Sequence, residues 1–435
     1  MKTKLYIKYL IFILLSSCSK QSEDKFNHCK DFQNEKAELI ALGSYPNYYY
    51  NLANELNNAG RINLAIEAYI NCIKTSNSQT FVEDAMYNVS ILYFETNQDS
   101  RAYTLMDSLI IRKYTWLNWY KTAKHPFFKQ PNYLSRLEKI DSINALINNP
   151  INCNFHYQDV SNFITAFKKS QTNWNNAPSY FYNDYFSKAS KALYFYQKFK
   201  IQSSSHQFAY RIEDKEAYFQ SIIPNLTKLN TQEKVIRNHL NEFKKLYPNA
   251  IFPDIYYVVG CFNAGGTSSP FGLIIGAEMH TKTEASNLTN FNNWEKKVVR
   301  DFSNLPLITL HELVHIQQNN NYNNLLGNAI YEGAADFIST LVCGSHINEH
   351  VHDWANKNEN EVWHAFKKEM YGENTQNWIG NADRAKGKPA DLGYYVGFKI
   401  CESYYNNQTD KKKAIKEILS ITNWNEFYLK SRYMK

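Results

Sequence analysis

The apolar positions divide the chain into blocks of different rhythm. A short apolar run, Tyr9 to Leu15, follows Lys2, Lys4 and Lys8 and ends at Ser16, Ser17 and Cys18. It is far shorter than the roughly 20 residues a helix needs to span a bilayer. A polar, weakly patterned stretch follows. From about Tyr48 to Ile111 apolar residues recur at helical spacing, and the pattern repeats. Leu52, Ala53, Leu56, Gly60, Ala65, Tyr69 and Ile73 return as Val89, Ser90, Tyr93, Asn97, Ala102, Met106 and Ile110, each 37 residues later. Small residues fall where two helices approach closely, and Gly60 and Asn97 fall where a turn favours positive φ. Two helical hairpins are predicted. Residues 112–148 continue in a helical pattern broken by Pro126 and Pro131, and Asn148, Asn149 and Pro150 mark a boundary.

Residues 151–250 read as amphipathic helices, with Asp159, Phe163 and Phe167 spaced by four and aromatics dense from Tyr180 to Tyr196. The period then changes. Ile255–Cys261 and Leu273–Glu278 are short apolar runs that predict strands, joined by a turn-rich loop, Asn263–Pro270. Helical patterns resume near Asn293. The expected fold class is mainly α with a small β-sheet (α+β). The expected parts are a leader (1–17), a tether (18–45), a helical-hairpin domain (46–149) and a larger domain (150–435).

Composition narrows the possibilities. In 435 residues, a 44% hydrophobic content excludes wholesale disorder, and 15 Gly with 11 Pro exclude collagen-like or proline-rich chains. The 33 Tyr and 26 Phe suit a packed helical core. The formal charge of +7 is spread out, and no basic block argues for nucleic acid as a partner. The seven cysteines form no Cys-x-x-Cys pair, and buried free thiols are expected. A basic start, a short apolar run and small residues describe a secretory signal peptide. Leu15-Ser16-Ser17-Cys18 resembles the bacterial lipobox, which implies that Cys18 is the lipidated N-terminus of an exported lipoprotein. An ordinary signal peptide or an N-terminal anchor is the alternative. The resemblance implies a membrane partner through the lipid and a place in the bacterial cell envelope, on the periplasmic or surface face of the outer membrane. Loss of Lys2, Lys4 and Lys8 leaves a charge of about +4.

The sharpest chemical motif is His311-Glu312-Leu313-Val314-His315. On a helix, positions i and i+4 share a face, so His311 and His315 are placed to hold one zinc ion, with Glu312 beside them as a general base. The alternative is a helix that merely carries two histidines. Catalytic zinc takes three protein ligands and keeps one position open. Glu332, 17 residues after His315, is the best third ligand. Asp336, one turn on, is placed to orient a zinc-bound histidine. Gly333, Ala334 and Ala335 allow this helix to press on the first. In Asp391-Leu392-Gly393-Tyr394-Tyr395-Val396-Gly397, Gly393 and Gly397 suit close helix packing, and Tyr394 or Tyr395 is a candidate oxyanion donor. His280 and Arg384 are weaker candidates. His346, His350 and His352 read as a polar surface turn rather than a second metal site.

Several resemblances follow from these residues. The 37-residue repeat resembles tetratricopeptide (TPR) hairpins, whose period is roughly 34, which implies a protein-partner module. His-Glu-x-x-His followed by Glu332 and Asp336 resembles the gluzincin peptidases; Tyr331 stands where that family has Asn. The ordered set of Tyr157–Phe163, the Gly265-Gly266-Thr267 loop, both motifs and Asp391–Gly397 resembles predicted zinc-dependent protease lipoproteins of Bacteroidetes-type bacteria, related to the gliding-motility lipoprotein B group. These likenesses imply a zincin-like domain, a zinc cofactor and a peptide or protein substrate. Leu273–Glu278 is then expected to be the edge strand that pairs with substrate. The expected function is a lipid-anchored zinc metallopeptidase; the alternative is a non-catalytic envelope or surface assembly lipoprotein, related to gliding or secretion, on a peptidase scaffold.

Overall fold

The computed structural model describes residues 46–76, 79–112, 131–269, 271–318 and 322–434. The expected leader and tether, with Cys18, Cys29 and Pro126, lie outside the described residues. The described residues are mainly helical with one four-stranded sheet, and they build two hydrophobic cores.

The first core is assembled from α1 (Pro46–Asn58), α2 (Ile62–Thr75), α3 (Gln79–Glu95), α4 (Asp99–Ile111) and α5 (Pro131–Ile147). Successive helices pack on one another. The turns of the two hairpins pass through Gly60 (φ 70°) and Asn97 (φ 59°), both left-handed. Ala53, Ser90, Ala65 and Ala102 are wholly buried at the helix seams. Pro131 opens α5 rather than breaking a helix, since a first-turn proline gives up no helical hydrogen bond. The first core ends at Ile140 and the second begins at Cys153. Between them, the Asn149 side chain caps a short turn, Pro150–Asn152.

The second core surrounds the sheet. Its strands are β1 (Phe155–His156), β2 (Ile255–Val258), β3 (Gly266–Ser269) and β4 (Gly272–Gly276), in spatial order β1-β2-β4-β3. β1, β2 and β4 run parallel, and β3 runs antiparallel to β4. Two expectations are corrected here. Residues 263–270 are not simply a loop, because Gly266–Ser269 pairs with β4 as a strand. Leu273–Glu278 is not the edge strand. Its strand portion lies in β4, interior and buried at every position, while Ala277–Met279 turns off in a 3-10 helix. The edge beside β4 is β3, and β1 forms the opposite edge. Gly266-Thr267-Ser268-Ser269 carries neither apolar alternation nor β-branched enrichment, so backbone pairing alone makes it a strand.

Five further helices frame the centre. They are α6 (Gln158–Thr172), α7 (Glu233–Leu246), α8 (Leu305–Gln317), α9 (Leu325–Cys343) and α10 (Leu392–Asn406). In α6, Asp159 accepts hydrogen bonds from the Ser190 amide (3.0 Å) and hydroxyl (2.6 Å), which ties two helical segments together. Helix α8 is buried along nearly its whole length, among β3, α7 and α9. Helices α9 and α10 cross at backbone contact: a Cβ on Gly397 would lie 1.7 Å from the Ala329 carbonyl oxygen, and one on Gly333 would lie 2.1 Å from the Phe398 nitrogen. Cys72, Cys153, Cys261, Cys343 and Cys401 are free thiols. Among the described residues no helix is long and apolar enough to cross a membrane.

The cores meet at a one-turn π-helix, Gln197–Ile201. Phe199 packs against Phe81 (centroids 5.4 Å apart), and Lys198 Nζ sits 3.0 Å from the centre of the Phe81 ring. Burial pulls the Lys198 pKa down to about 7.

Candidate metal centre

His311 and His315 project from the buried helix α8 one turn apart, and α9 presents Glu332 to both. His315 Nε2 lies 3.2 Å from His311 Nε2 and 3.3 Å from Glu332 Oε2, and the third edge, His311 Nε2 to Glu332 Oε2, is 3.7 Å. A tetrahedral zinc ion with bonds of about 2.0–2.1 Å holds its ligands roughly 3.3 Å apart, so the triangle has the size zinc requires. Among the described residues no other group of three His, Cys, Asp or Glu side chains converges this way.

The outer nitrogens decide what the inner ones offer. Asp336 Oδ1 lies 2.8 Å from His311 Nδ1, in an ion-pair contact buried on both sides. Gln318 Nε2 donates to the Tyr331 carbonyl (2.8 Å), which leaves Gln318 Oε1 to accept from His315 Nδ1 at 2.7 Å. With both imidazoles neutral, as metal ligation requires, both Nδ1 protons face outward to Asp336 and Gln318 and both Nε2 lone pairs face inward with the Glu332 carboxylate. Three electron-rich atoms around one point form a hole that a cation fills. In the metal-free centre a proton on His311 takes that place. Burial opposes charge on His311, but contact with Asp336 and Glu332 outweighs it and holds the pKa well above the ordinary value. Burial likewise favours a neutral Glu332, yet the two histidines hold its carboxyl far below the ordinary range.

Other expected residues fall in and out of the centre. Glu312 packs against the first residue of the edge strand: a Cβ on Gly266 would lie 2.3 Å from Glu312 Cδ. The general-base candidate and the strand end thus share one space. Tyr394 stacks over His311 with ring centroids 6.4 Å apart. Burial and the Glu332 carboxylate push its pKa well above the ordinary value, so it remains a neutral hydrogen-bond donor. Tyr395 is a correction. It faces the other way on α10, is wholly buried, and donates to Asn356 (3.0 Å). His280 Nε2 is bonded to the Gly265 carbonyl (3.0 Å), so it secures the approach to β3. Arg384 is committed to Gln376 and Asp383. Of the three later histidines only His350 lies at the surface: the His346 and His352 rings lie 4.2 Å apart against Phe398, burial lowers the His352 pKa to about 4, and among the described residues they form no second metal cluster.

Some residues escaped the sequence reading. Gln318 follows His315 by one helical turn on the same face, a spacing that was available. Tyr331, noted only as a departure from Asn, stacks on His315 with centroids 4.5 Å apart. Gly266 gave a cue only as part of a Gly-Gly pair.

The sequence profile of the family described as gliding motility protein GldB matches residues 140–435. The chain belongs to that family. The match takes in the second core, the whole sheet and the centre. GldB-family membership makes this a gliding-motility-related lipoprotein associated with the cell envelope. No curated protein and no solved structure matches the chain.

Proposed function

We propose that this GldB-family lipoprotein carries a zinc-dependent peptidase centre at the cell envelope. The observation that carries the reading is the convergence of His311 Nε2, His315 Nε2 and Glu332 Oε2, with both Nδ1 protons held outward by Asp336 and Gln318. A zinc ion bound there supplies Lewis acidity, which polarises a carbonyl and brings the pKa of water toward neutrality. The remaining work falls to the protein. An extended peptide adds to the free edge of β3 through main-chain hydrogen bonds and so lies beside Glu312. Glu312 takes a proton from the attacking water as the new C–O bond forms, then delivers it to the amine as the C–N bond breaks. Tyr394 donates its phenolic hydrogen to the carbonyl oxygen as negative charge gathers there. The TPR-like hairpins would hold a protein partner.

Family membership favours a second reading, a non-catalytic assembly lipoprotein of the gliding apparatus that keeps the scaffold. Glu312 beside the open strand edge supports the first, since a purely structural metal site needs no base. Metal analysis of the purified mature protein is expected to give about one zinc per chain, lost in His311→Ala. Comparison of peptides released from an envelope extract by wild type and by Glu312→Gln then separates the readings. Identical profiles from the two zinc-loaded proteins would establish the scaffold.

A further inference from the structure

The ion-pair contact between Asp336 and His311 uses only one oxygen of the carboxylate. The other, Oδ2, accepts a hydrogen bond from Asn348 Nδ2 at 3.1 Å. Asn348 precedes the helix Glu349–Lys357, where an asparagine ordinarily turns its side chain onto the first-turn amides. Here the side chain makes no cap bond; only the Asn348 backbone carbonyl serves the helix, accepting from Val351 and His352. The amide is diverted to Asp336. Its orientation is set from behind, because Asn348 Oδ1 accepts from Arg300 Nη2 at 3.3 Å, which leaves Nδ2 facing the carboxylate. Arg300 is itself fixed: Nη1 donates to the Lys297 carbonyl (3.0 Å), the backbone amide donates to the Met279 carbonyl (2.7 Å), and the backbone carbonyl accepts from Lys282 (3.1 Å). Asp336 and Asn348 are both more than nine-tenths buried, so water does not replace a lost partner freely.

From this chain of contacts we infer that Asn348 and Arg300 are positioning residues for the metal centre, setting its affinity by holding Asp336 and, through it, the His311 ring. The inference rests on the zinc reading above. Arg300 to Asn348 to Asp336 to His311 joins four separate segments between residues 300 and 348, and each link restricts the orientation of the next. Removing the Asn348 amide orphans a buried carboxylate oxygen and frees the carboxylate to rotate away from His311 Nδ1. Losing a group bonded directly to a metal-bound histidine typically weakens metal binding about 10–100-fold; Asn348 acts one contact further out, at the lower end of that range.

The test uses the full mature protein and zinc alone, with affinity measured against a chromophoric chelator at fixed pH. Near-ultraviolet circular dichroism and thermal unfolding of the metal-free proteins check the fold. Asn348→Ala and Asn348→Asp are expected to keep the fold and to bind zinc about 10-fold more weakly than wild type. Arg300→Met is expected to lose affinity in the same direction, and Arg300→Lys, which keeps a cationic donor, to recover most of it. Should Asn348→Ala fail to fold, the near-isosteric Asn348→Asp and the Arg300 pair decide. Wild-type affinity in folded Asn348→Asp and Arg300→Met would overturn the relay while leaving the zinc centre standing. A wild-type protein that takes up no zinc would overturn both.

Discussion

The two cores are built in opposite ways. In the first, each helix packs on its neighbour in sequence, and the turn at Gly60 is repeated at Asn97. In the second, β1 pairs with a strand a hundred residues away, Phe155 opposite Ile255. Its centre draws candidate ligands from α8 and α9, with Asn348 behind Asp336 and Tyr394 over His311. A core of local pairs tolerates change one helix at a time. A centre assembled from distant segments fails when any one of them moves by an ångström.

The largest effect should come from the centre. Glu312→Gln is expected to retain zinc and lower peptide hydrolysis by at least about 10²–10⁴-fold in a fluorogenic-peptide assay. An equal rate would remove the catalytic half of the contrast. Gly266→Ala should come next, because the added methyl displaces Glu312 and not the ligands. Zinc content should hold while activity falls on the order of 10²-fold.

Stability measurements sharpen the same contrast. Gly397→Ala drives a methyl into the Ala329 carbonyl and should destabilise the second core by about 3 kcal/mol in urea unfolding. At the junction of the cores, Lys198 supplies a pH signature. Unfolded lysine keeps its proton to about pH 10.5, while in the fold burial lowers that to about 7. Below about 7 both states are charged and the full penalty of burial is present. Between 7 and 10.5 the unfolded chain binds more protons, so stability rises with pH. Lys198→Met should therefore be more stable than wild type at neutral pH, by about 1–3 kcal/mol, with the gap closing toward pH 10. A gap that is flat across pH would mean Lys198 is not buried as a destabilised cation. The smallest effect belongs to the local core. Gly60→Ala places a side chain at positive φ and should lose only about 1 kcal/mol, and Asn97→Gly should be near neutral.

Legibility followed the same division. The hairpins and their turns were readable because helix contacts and left-handed turn residues repeat at a fixed interval. His311, His315, Glu332 and Asp336 were readable because helical spacing fixes which side chains share a face. Strand β3 was missed because its polar residues become a strand only by pairing with β4. Tyr394 and Tyr395 were indistinguishable as neighbours, and only the packing of α10 sends one to His311 and the other to Asn356. Asn348 and Arg300 gave no cue, since nothing in their local sequence points to Asp336.

The sequence by itself determined the helical hairpins, the mainly helical class and the pair of helices that carry the three candidate ligands. Each of these depends on contacts within a few turns of chain, which residue spacing records directly. Tertiary structure decided which strand is the edge, which tyrosine meets the centre and what holds Asp336 in place. Those outcomes depend on burial and pairing between segments far apart in sequence, where identity constrains the partners but does not name them.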